Sequence, residues 1–291
     1  MTLCDARGMG EPVPRRLRWR PGVHVVRRDG DHLQVGVDPP RRVVLPDLPA
    51  VRALLAELPP TAEDPHAQTA LRSLRAAGLV LEGGEPGSDS PGEPAARRAA
   101  EAQFGEDAAR RLEARSGARI GLRAPAASRA MVRGLLRRAG LGLAGPNELP
   151  TAWLVVTAAE PVRGEIDPLV REGAPHLLVV CGAEARVGPF VVTGQTACLR
   201  CVDAHLAEPD PRRPLVVEQV ARTAADADDA PVDPTLEVLA LAHAVRDLAR
   251  YAEGDRPATW SATVDIEHAA PAVRRVWERH PHCGCAWDVV W

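Results

Sequence analysis

Within the first 82 residues, the apolar positions up to residue 45 occur in short runs that are typical of β-strands. Short apolar runs occur at residues 23–26, 33–37 and 43–45, and in the second run they alternate with polar or small residues. Alternation with a period of two places the apolar side chains on one face of a strand. Asp29-Gly30 favours a tight turn between the first two runs. The pattern predicts three short strands connected by turns.

Helical periodicity follows these strands. The apolar residues of 48–58 recur every three or four positions, as do those of 64–77, so each set lies on one face of a helix. Gly78 ends the second helix and leads into another apolar run at 79–81. Three strands, two helices and a final strand predict a winged-helix-like α+β domain over residues 15–82.

A low-complexity stretch separates this domain from the rest of the chain. Residues 83–99 are rich in Gly, Pro, Ser and acidic side chains, and such a composition does not bury a core. We expect a linker there, followed by an α/β domain over residues 100–291. An Ala/Arg/Glu-rich helix is predicted at the junction, over about residues 95–116.

Strand and helix patterns then alternate along the chain. Buried-type strands are predicted at 118–122, 153–156 and 177–181, separated by helices at 127–139 and 166–172. This alternation predicts a largely parallel, Rossmann-like sheet covered on both faces. The pattern also predicts a hairpin at 185–192, a solvated acidic loop at 226–233, an amphipathic helix at 236–251 and a late strand at 260–266.

Composition narrows the functional classes. All 36 basic residues are arginine, and the net charge is −3 at pH 7. Without lysine, no ammonium side chain can pair a nucleotide phosphate or form a Schiff base. The charge argues against general nucleic-acid binding, and no apolar run has the length of a membrane span. No signal peptide is visible, so the sequence predicts a cytoplasmic protein without membrane or nucleic-acid partners.

Two short cysteine motifs carry the clearest chemistry of the chain. Cys198-Leu-Arg-Cys201 and Cys283-Gly-Cys285 supply four thiolates in two pairs, the ligand set of a closed tetrahedral zinc site. Because all four ligands are cysteine, no coordination position is open for a substrate, and the predicted zinc is structural. A disulfide framework is the alternative. Cys4 and Cys181 stand alone, and a reducing compartment favours the metal.

Three histidines lie near these motifs. His205 follows Cys201 by four positions, and His280 and His282 closely precede Cys283. Four cysteines already fill a tetrahedral shell, so we expect these imidazoles outside it. Cys181 closes an apolar run and is expected to be a buried thiol.

The stretch leading into the first motif resembles a known superfamily. Residues 187–201 read Val-Gly-Pro-Phe-Val-Val-Thr-Gly-Gln-Thr-Ala-Cys-Leu-Arg-Cys. This is similar to the ThiF/MoeB superfamily, the adenylating enzymes related to ubiquitin activators, where such a turn holds half of a zinc site. A late Cys-x-x-Cys supplies the other half there, whereas this chain has Cys-Gly-Cys. With His-Pro-His-Cys-Gly-Cys at 280–285, the chain looks like the ThiF-like proteins of azole-forming peptide pathways.

The catalytic half of the superfamily pattern is missing. A Gly-rich phosphate loop is expected after the first strand of the nucleotide domain, but residues 121–127 read Gly-Leu-Arg-Ala-Pro-Ala-Ala. Residues 142–145 offer no acid to hold a ribose. Thr157-Ala158-Ala159 stands where the family places a metal-binding aspartate. The resemblance therefore implies a degenerate, adenylyltransferase-like protein that does not use ATP.

A peptide-binding scaffold is the function that the resemblance implies. ThiF-like proteins of these pathways are often fused to an N-terminal winged-helix peptide clamp, which binds the leader of a precursor peptide. Here an extended leader would add as a strand beside Arg42, Val43, Val44 and Leu45. A separate YcaO-type cyclodehydratase would then form the thiazoles or oxazoles. The superfamily also implies a homodimer, with the helices around Leu135 and Leu239 as candidate contacts.

Two other functions stay open at this stage. One is an ATP-dependent adenylating enzyme of the ThiF/MoeB type with an unusual phosphate site. The other is a winged-helix DNA-binding regulator, although the predicted recognition helix carries only Arg72 and Arg75 as fixed cations.

Overall fold

A computed structural model of the chain describes residues 16–83, 93–225 and 231–286. The chain forms two units, one ending at Ala109 and the other beginning at Arg110. Cys4, most of the predicted linker and residues 226–230 of the predicted acidic loop lie outside the described residues.

In the part of the first unit that the structure describes, there are two small antiparallel sheets and three α-helices. Its elements are β1 (Leu17–Trp19), β2 (Val25–Arg27), β3 (His32–Val35), β4 (Val43–Pro46), α1 (Pro49–Glu57), α2 (Pro65–Ala76), β5 (Val80–Glu82) and α3 (Glu93–Phe104). One sheet has the order β2-β3-β4, and the other pairs β1 with β5. The three predicted strands, two helices and final strand are confirmed, whereas β1 lacks a sequence signal that we recognised.

The core of this unit lies between the three-stranded sheet and the helices. Val35 and Leu45 project from β3 and β4 onto Leu54 of α1 and Leu74 of α2, and all four are buried. The Asp64 carboxylate begins α2 by accepting two backbone N–H groups of the first turn.

A glycine divides the helix predicted at 95–116. That prediction of a single helix is wrong, because α3 ends at Phe104 and α4 (Ala108–Gly117) begins after a 3₁₀ turn. Gly105 has φ +65°, a left-handed conformation that a residue with a Cβ rarely adopts and that ends an α-helix.

Two arginines bind the C-terminal end of α3. Arg20 donates from Nε to the carbonyl of Ala102 at 3.0 Å and from a terminal nitrogen to that of Gln103 at 3.1 Å. Arg41 donates to the same two carbonyls at 2.7 and 2.8 Å. The last carbonyls of a helix lack partners within it and carry the negative end of its dipole. The two guanidinium groups therefore fix α3 within the first unit.

The second unit is built on a seven-stranded sheet. Its further elements are β6 (Arg119–Arg123), α5 (Ala126–Ala139), β7 (Gly142–Leu143), β8 (Ala152–Thr157), α6 (Arg163–Arg171), β9 (His176–Cys181), β10 (Ala185–Val191), α7 (Leu199–Ala207), α8 (Arg213–Ala225), α9 (Pro234–Ala252), β11 (Ala262–Ile266) and β12 (Val273–Val276). The order of the strands is β12-β11-β10-β9-β8-β6-β7.

The sheet is mixed, not largely parallel as predicted. Strands β7, β6, β8 and β9 are parallel neighbours, whereas β10, β11 and β12 add in antiparallel order. The prediction of a hairpin within 185–192 is also wrong. Those residues form one strand, and the hairpin lies between β9 and β10, because a short turn at 182–184 leaves no room for a crossover helix.

Helices cover both faces of this sheet, as predicted. Leu154 and Val156 of β8 pack on the side of α5 and α9, whereas Val155 packs on the side of α6. This alternation along one strand reflects its period of two. Within the described ranges, no helix combines the length and the apolar character that crossing a bilayer requires.

Candidate functional site

Four cysteine sulfurs meet on one side of the second unit. Cys198 directly precedes α7, and the backbone N–H of Cys201 in the first turn donates to its carbonyl at 3.0 Å. Cys283 and Cys285 lie at the end of the described chain, beside a 3₁₀ turn at Gly284–Ala286. All four side chains are buried. The structure thus brings together the four ligands predicted from sequence.

The sulfur positions suit a tetrahedral metal ion. Cys198 Sγ lies 3.7 Å from that of Cys201, 3.6 Å from Cys283 and 3.4 Å from Cys285, and Cys201 Sγ lies 3.3 Å from Cys285. A tetrahedron with metal–sulfur bonds of about 2.3 Å has sulfur–sulfur edges of about 3.8 Å. A small expansion would therefore admit an ion. The cysteines are free rather than disulfide-bonded, so this cluster could hold a metal.

Hydrogen bonds among the four thiols shift the pKa values of Cys198 and Cys201 in opposite directions. Bonds from Cys198, Cys283 and Cys285, together with the backbone N–H of His280, hold the pKa of Cys201 well below its usual range. The pKa of Cys198 is raised by its hydrogen bonds with the sulfurs of Cys201, Cys283 and Cys285 and by burial. Cys201 also lies in the first turn of α7, where the helix dipole favours the negative charge of a metal-binding thiolate.

Two arginine–aspartate pairs hold α7 in place. Arg200, between the first two cysteines, donates two bonds to Asp167 of α6 at 3.1 and 2.8 Å. Arg163 of α6 donates two bonds of 2.8 Å to Asp203 of α7, and its side chain is only 5% exposed. Burial lowers the pKa of Arg163, but its bonds to Asp203 and Glu160 outweigh this effect and raise it overall. Sequence reasoning missed both pairs, since nothing local links α6 to α7.

Histidines and a cavity border the four sulfurs. His205 and His280 lie beside the cluster with their ring centroids 4.8 Å apart, and both bond to oxygen atoms instead of facing the sulfurs. A cavity of about 870 Å³ opens on another side. It is lined by three of the cysteines and by Arg171, Arg200 and His282, among others.

The residues proposed for leader binding lie on and just before β4. Val43 and Leu45 face the core of the first unit, whereas Val44 on the opposite face is 41% exposed. Arg42 directly precedes the strand and is exposed. Because β4 is the last strand of its sheet, one of its edges has no partner strand within the described residues.

An acidic side chain lies beside the N-terminus of α5. Ser128, in the first turn of α5, donates its hydroxyl to Glu237 Oε1 of α9 at 2.6 Å. The N-cap of α5 is Pro125, which offers no N–H. A helix N-terminus after a strand is the usual anion site of such folds. Here the chain's own Glu237 lies beside it. The two residues are 109 positions apart, so the sequence pattern carried no signal of this contact.

The first acidic residue after β8 is engaged in ion pairs. Glu160 accepts from Arg163 at 2.9 Å and from Arg186 at 3.0 Å. Arg186 also binds Asp265 at 2.7 Å.

At the end of β9, Cys181 is a buried thiol as predicted, and burial together with the charge of Glu237 raises its pKa to about 12. No nucleophile therefore arises there at neutral pH.

Comparisons with known proteins identify relatives by fold alone. No family model matches the sequence, and no curated protein matches it. The structure of the heterocyclase TruD matches with a TM-score of 0.65 and 15% identity over 94% of this chain and 43% of that chain. A heterocyclase in complex with substrate and cofactor matches with a TM-score of 0.64 and 16% identity. The match covers 93% of this chain and 39% of that chain. The structure of Escherichia coli MccB with ATP matches with a TM-score of 0.60 and 12% identity. The match covers 92% of this chain and 99% of that chain.

These likenesses support the α/β fold expected from the sequence. The chain spans about two fifths of the length of the two heterocyclase chains but nearly the full length of MccB. Sequence identity of 12–16% establishes a shared fold and leaves the activity to be argued from the sites.

Proposed function

We propose that this protein binds the leader of a precursor peptide and presents it to a separate YcaO-type cyclodehydratase that forms thiazoles or oxazoles. The protein itself would be a catalytically silent scaffold with a structural zinc ion. The fold likeness to a heterocyclase and to MccB supports a place in peptide modification. The observation that carries the proposal is the free edge of β4.

The hydrogen-bond alternation in the three-stranded sheet shows which groups of β4 are free. The backbone N–H of Asp47 donates to the carbonyl of Asp31 at 2.8 Å. Antiparallel pairs alternate between bonded and non-bonded residues, so Leu45 and Val43 bond to β3 while Val44 does not. The N–H and C=O of Val44 therefore point to the open edge. The same alternation holds on the other side of β3, where Gly36 donates to His24.

The open edge is suited to one short added strand. A peptide residue opposite Val44 can exchange two backbone hydrogen bonds with it, the basic unit of strand addition. Pro46, two positions later on the same edge, has a carbonyl but no N–H. Proline at an edge limits how far another strand can pair. The proposed peptide thus pairs around Arg42–Val44, and its side chains alternate between the helix side and solvent.

A proline and an alanine at position 44 test this proposal. Val44→Pro removes the outward N–H without deleting a bond to β3, so a labelled leader should lose binding by at least ~10-fold. Val44→Ala keeps the N–H and should weaken binding by about 1 kcal/mol or less. Fluorescence anisotropy with a leader peptide from the same gene neighbourhood measures both. Equal affinity of the wild type and Val44→Pro would move the site elsewhere, and no binding by the wild type would reject the function.

Zinc is the metal that the proposal assigns to the four-cysteine cluster. A closed set of four thiolates with near-tetrahedral separations matches structural zinc sites. Cys198 and Cys201 would bind it from α7, and Cys283 and Cys285 from the end of the described chain. The ion would then tie that segment to the sheet domain, and its binding free energy would form part of the folding free energy.

An adenylating enzyme is the second candidate, and the α5 N-terminus argues against it. Glu237 beside Ser128 places negative charge where an ATP phosphate would need positive potential. A DNA-binding role has less support still. Arg75 donates to the carbonyl of Pro60 and Arg72 to the hydroxyl of Thr69, so both guanidinium groups already have hydrogen-bond partners within this unit.

The proposal also includes a homodimer. Leu239 on α9 is 51% exposed and stays a candidate contact, whereas Leu135 is partly buried against the core of its own unit. Light scattering should give twice the chain mass of 31.1 kDa. A monomer at high protein concentration would reject the dimer.

A further inference from the structure

His280 lies next to the four sulfurs, and its backbone N–H, its carbonyl and both of its ring nitrogens have hydrogen-bond partners there. Its backbone N–H donates to Cys201 Sγ, and its carbonyl accepts the N–H of Cys283 at 2.9 Å. In the ring, Nδ1 accepts the backbone N–H of His282 at 3.2 Å, and Nε2 lies 3.2 Å from Glu208 Oε1. The imidazole is 8% exposed. One residue therefore connects a ligand of the first cysteine pair, a ligand of the second pair and helix α7.

The hydrogen bonds assign the proton of this ring. Since Nδ1 accepts from the His282 backbone, a neutral imidazole carries its proton on Nε2 and donates it to Glu208. His205 is held in a similar way, because its Nε2 lies 3.0 Å from the carbonyl of Glu278, which can only accept.

His205, Glu208 and His280 offer three ligand atoms within 4.8 Å and could by spacing hold a second metal. A metal on Nε2 of His280 would require the ring proton on Nδ1, opposite the N–H of His282. The arrangement therefore fits a hydrogen-bonded support better than a coordination shell.

The second cysteine pair depends on such support. Only Gly284 separates its two ligands, and no atom outside its chain neighbours lies within 4 Å of where a Cβ would be. The turn is instead held from the preceding residues. Arg279 donates to the carbonyls of Cys285 and Gly194, and His280 binds Glu208.

We propose that His280 is a positioning residue that holds the Cys283–Cys285 turn against α7, so that the four sulfurs are in place before a metal binds. This inference rests on the metal centre of the proposed function and extends it to residues outside the ligand set. Supporting partners of metal ligands typically contribute 10–100-fold to metal affinity. The Glu208–His280 bond is the part of the support that links the turn to the helix bearing Cys201.

Cobalt-loaded full-length protein tests the proposal. The rate of Co²⁺ transfer to excess EDTA is measured for the wild type, His280→Ala, Glu208→Ala and His280→Gln, and the d–d and thiolate charge-transfer bands are recorded. Gln places an amide N–H near the position of Nε2 and can keep the bond to Glu208. His280→Ala and Glu208→Ala should release cobalt ~10–100-fold faster, with altered d–d bands. His280→Gln should recover most of the slow release.

His282→Ala is the matched control. It truncates a neighbouring exposed imidazole but keeps the backbone N–H that binds His280, so its release rate should equal that of the wild type. Should His280→Ala fail to fold, Glu208→Ala and His280→Gln carry the test, because the Glu208 carboxylate is 64% exposed.

The outcomes separate this inference from the metal centre itself. A wild type that binds no cobalt rejects the centre. Cobalt bound by the wild type and released equally fast by Glu208→Ala and His280→Ala overturns the positioning role alone. A second cobalt equivalent without thiolate bands, lost in His205→Ala and His280→Ala, would also overturn it and make the three residues a second metal site.

Discussion

Cys198 and Cys283 lie 85 positions apart in the sequence and 3.6 Å apart at sulfur. Replacing either by serine leaves three thiolates and should abolish stoichiometric zinc. Loss of a structural metal costs about 3 kcal/mol or more, so the melting temperature should fall by roughly 5–10 °C. Elemental analysis and calorimetry of the same samples measure both effects. Cys181→Ser is the control for zinc content, since its sulfur lies outside the cluster.

Unchanged zinc content in Cys283→Ser would contradict the ligand assignment. Zinc-free wild-type protein with four reactive thiols would contradict the centre as a whole.

Cys181 makes a pH-dependent contribution of its own. Burial raises its pKa to about 12, against about 8.5 in an unfolded chain. A folded-state pKa above the unfolded value stabilises the fold below about pH 8.5, and this contribution is lost as the pH rises towards 12. Zinc-loaded wild type should therefore lose about 1 kcal/mol more unfolding free energy than Cys181→Val between pH 8.5 and 9.5. Urea unfolding at both pH values measures the difference, and parallel losses would show that Cys181 does not contribute.

At the scale of elements, Arg20 is the more buried of the two arginines that bind the end of α3. Arg20 donates to the carbonyls of Gly78, Ala102 and Gln103 and is only 7% exposed. Arg20→Ala should destabilise the first unit by about 2–3 kcal/mol, since the Gly78 carbonyl loses its charged donor and the carbonyls of Ala102 and Gln103 keep only Arg41. Arg20→Lys should restore only part of the lost stability, because an ammonium group lacks the planar set of N–H donors by which a guanidinium binds several carbonyls at once.

Urea unfolding of the full chain, followed by circular dichroism, measures the effect of Arg20→Ala. Arg28→Ala is the matched control, since among the described residues the Arg28 guanidinium makes one exposed hydrogen bond, to the side chain of Gln34. Equal shifts in the two variants would show that the bonds to α3 contribute no stability.

At the scale of the whole molecule, the second unit brings an acidic side chain of α9 to the N-terminus of α5. Mg-ATP should give no saturable heat in the micromolar range, because Glu237 lies at the N-terminus of α5 and Pro125 offers no N–H. Isothermal calorimetry on zinc-loaded protein is the measurement, with Glu237→Gln as a comparison that removes the charge and keeps the shape. A clear one-to-one isotherm for the wild type would instead favour the adenylating function.

Particular residues show how far the sequence alone could predict this protein. The period-two run at 33–37 and the helical periods at 48–58 and 64–77 depend only on local patterns, and the corresponding elements are confirmed. The spacing of Cys198 and Cys201 likewise predicts a ligand pair, because two ligands three positions apart share one helical turn. Gly105 lies in a helix-favouring composition that predicts one continuous helix, whereas its left-handed backbone ends α3.

The sequence by itself determined the order of elements, the class of fold and the four candidate ligands, since these follow from short-range periodicity and residue chemistry. Only the tertiary structure decided that β10, β11 and β12 run antiparallel, that Val44 faces an open edge and that Glu237 reaches Ser128. It also decided that His280 links both cysteine pairs. Each of these depends on contacts between segments distant in sequence, whose pairing is selected by the packing of the whole core and leaves no local pattern.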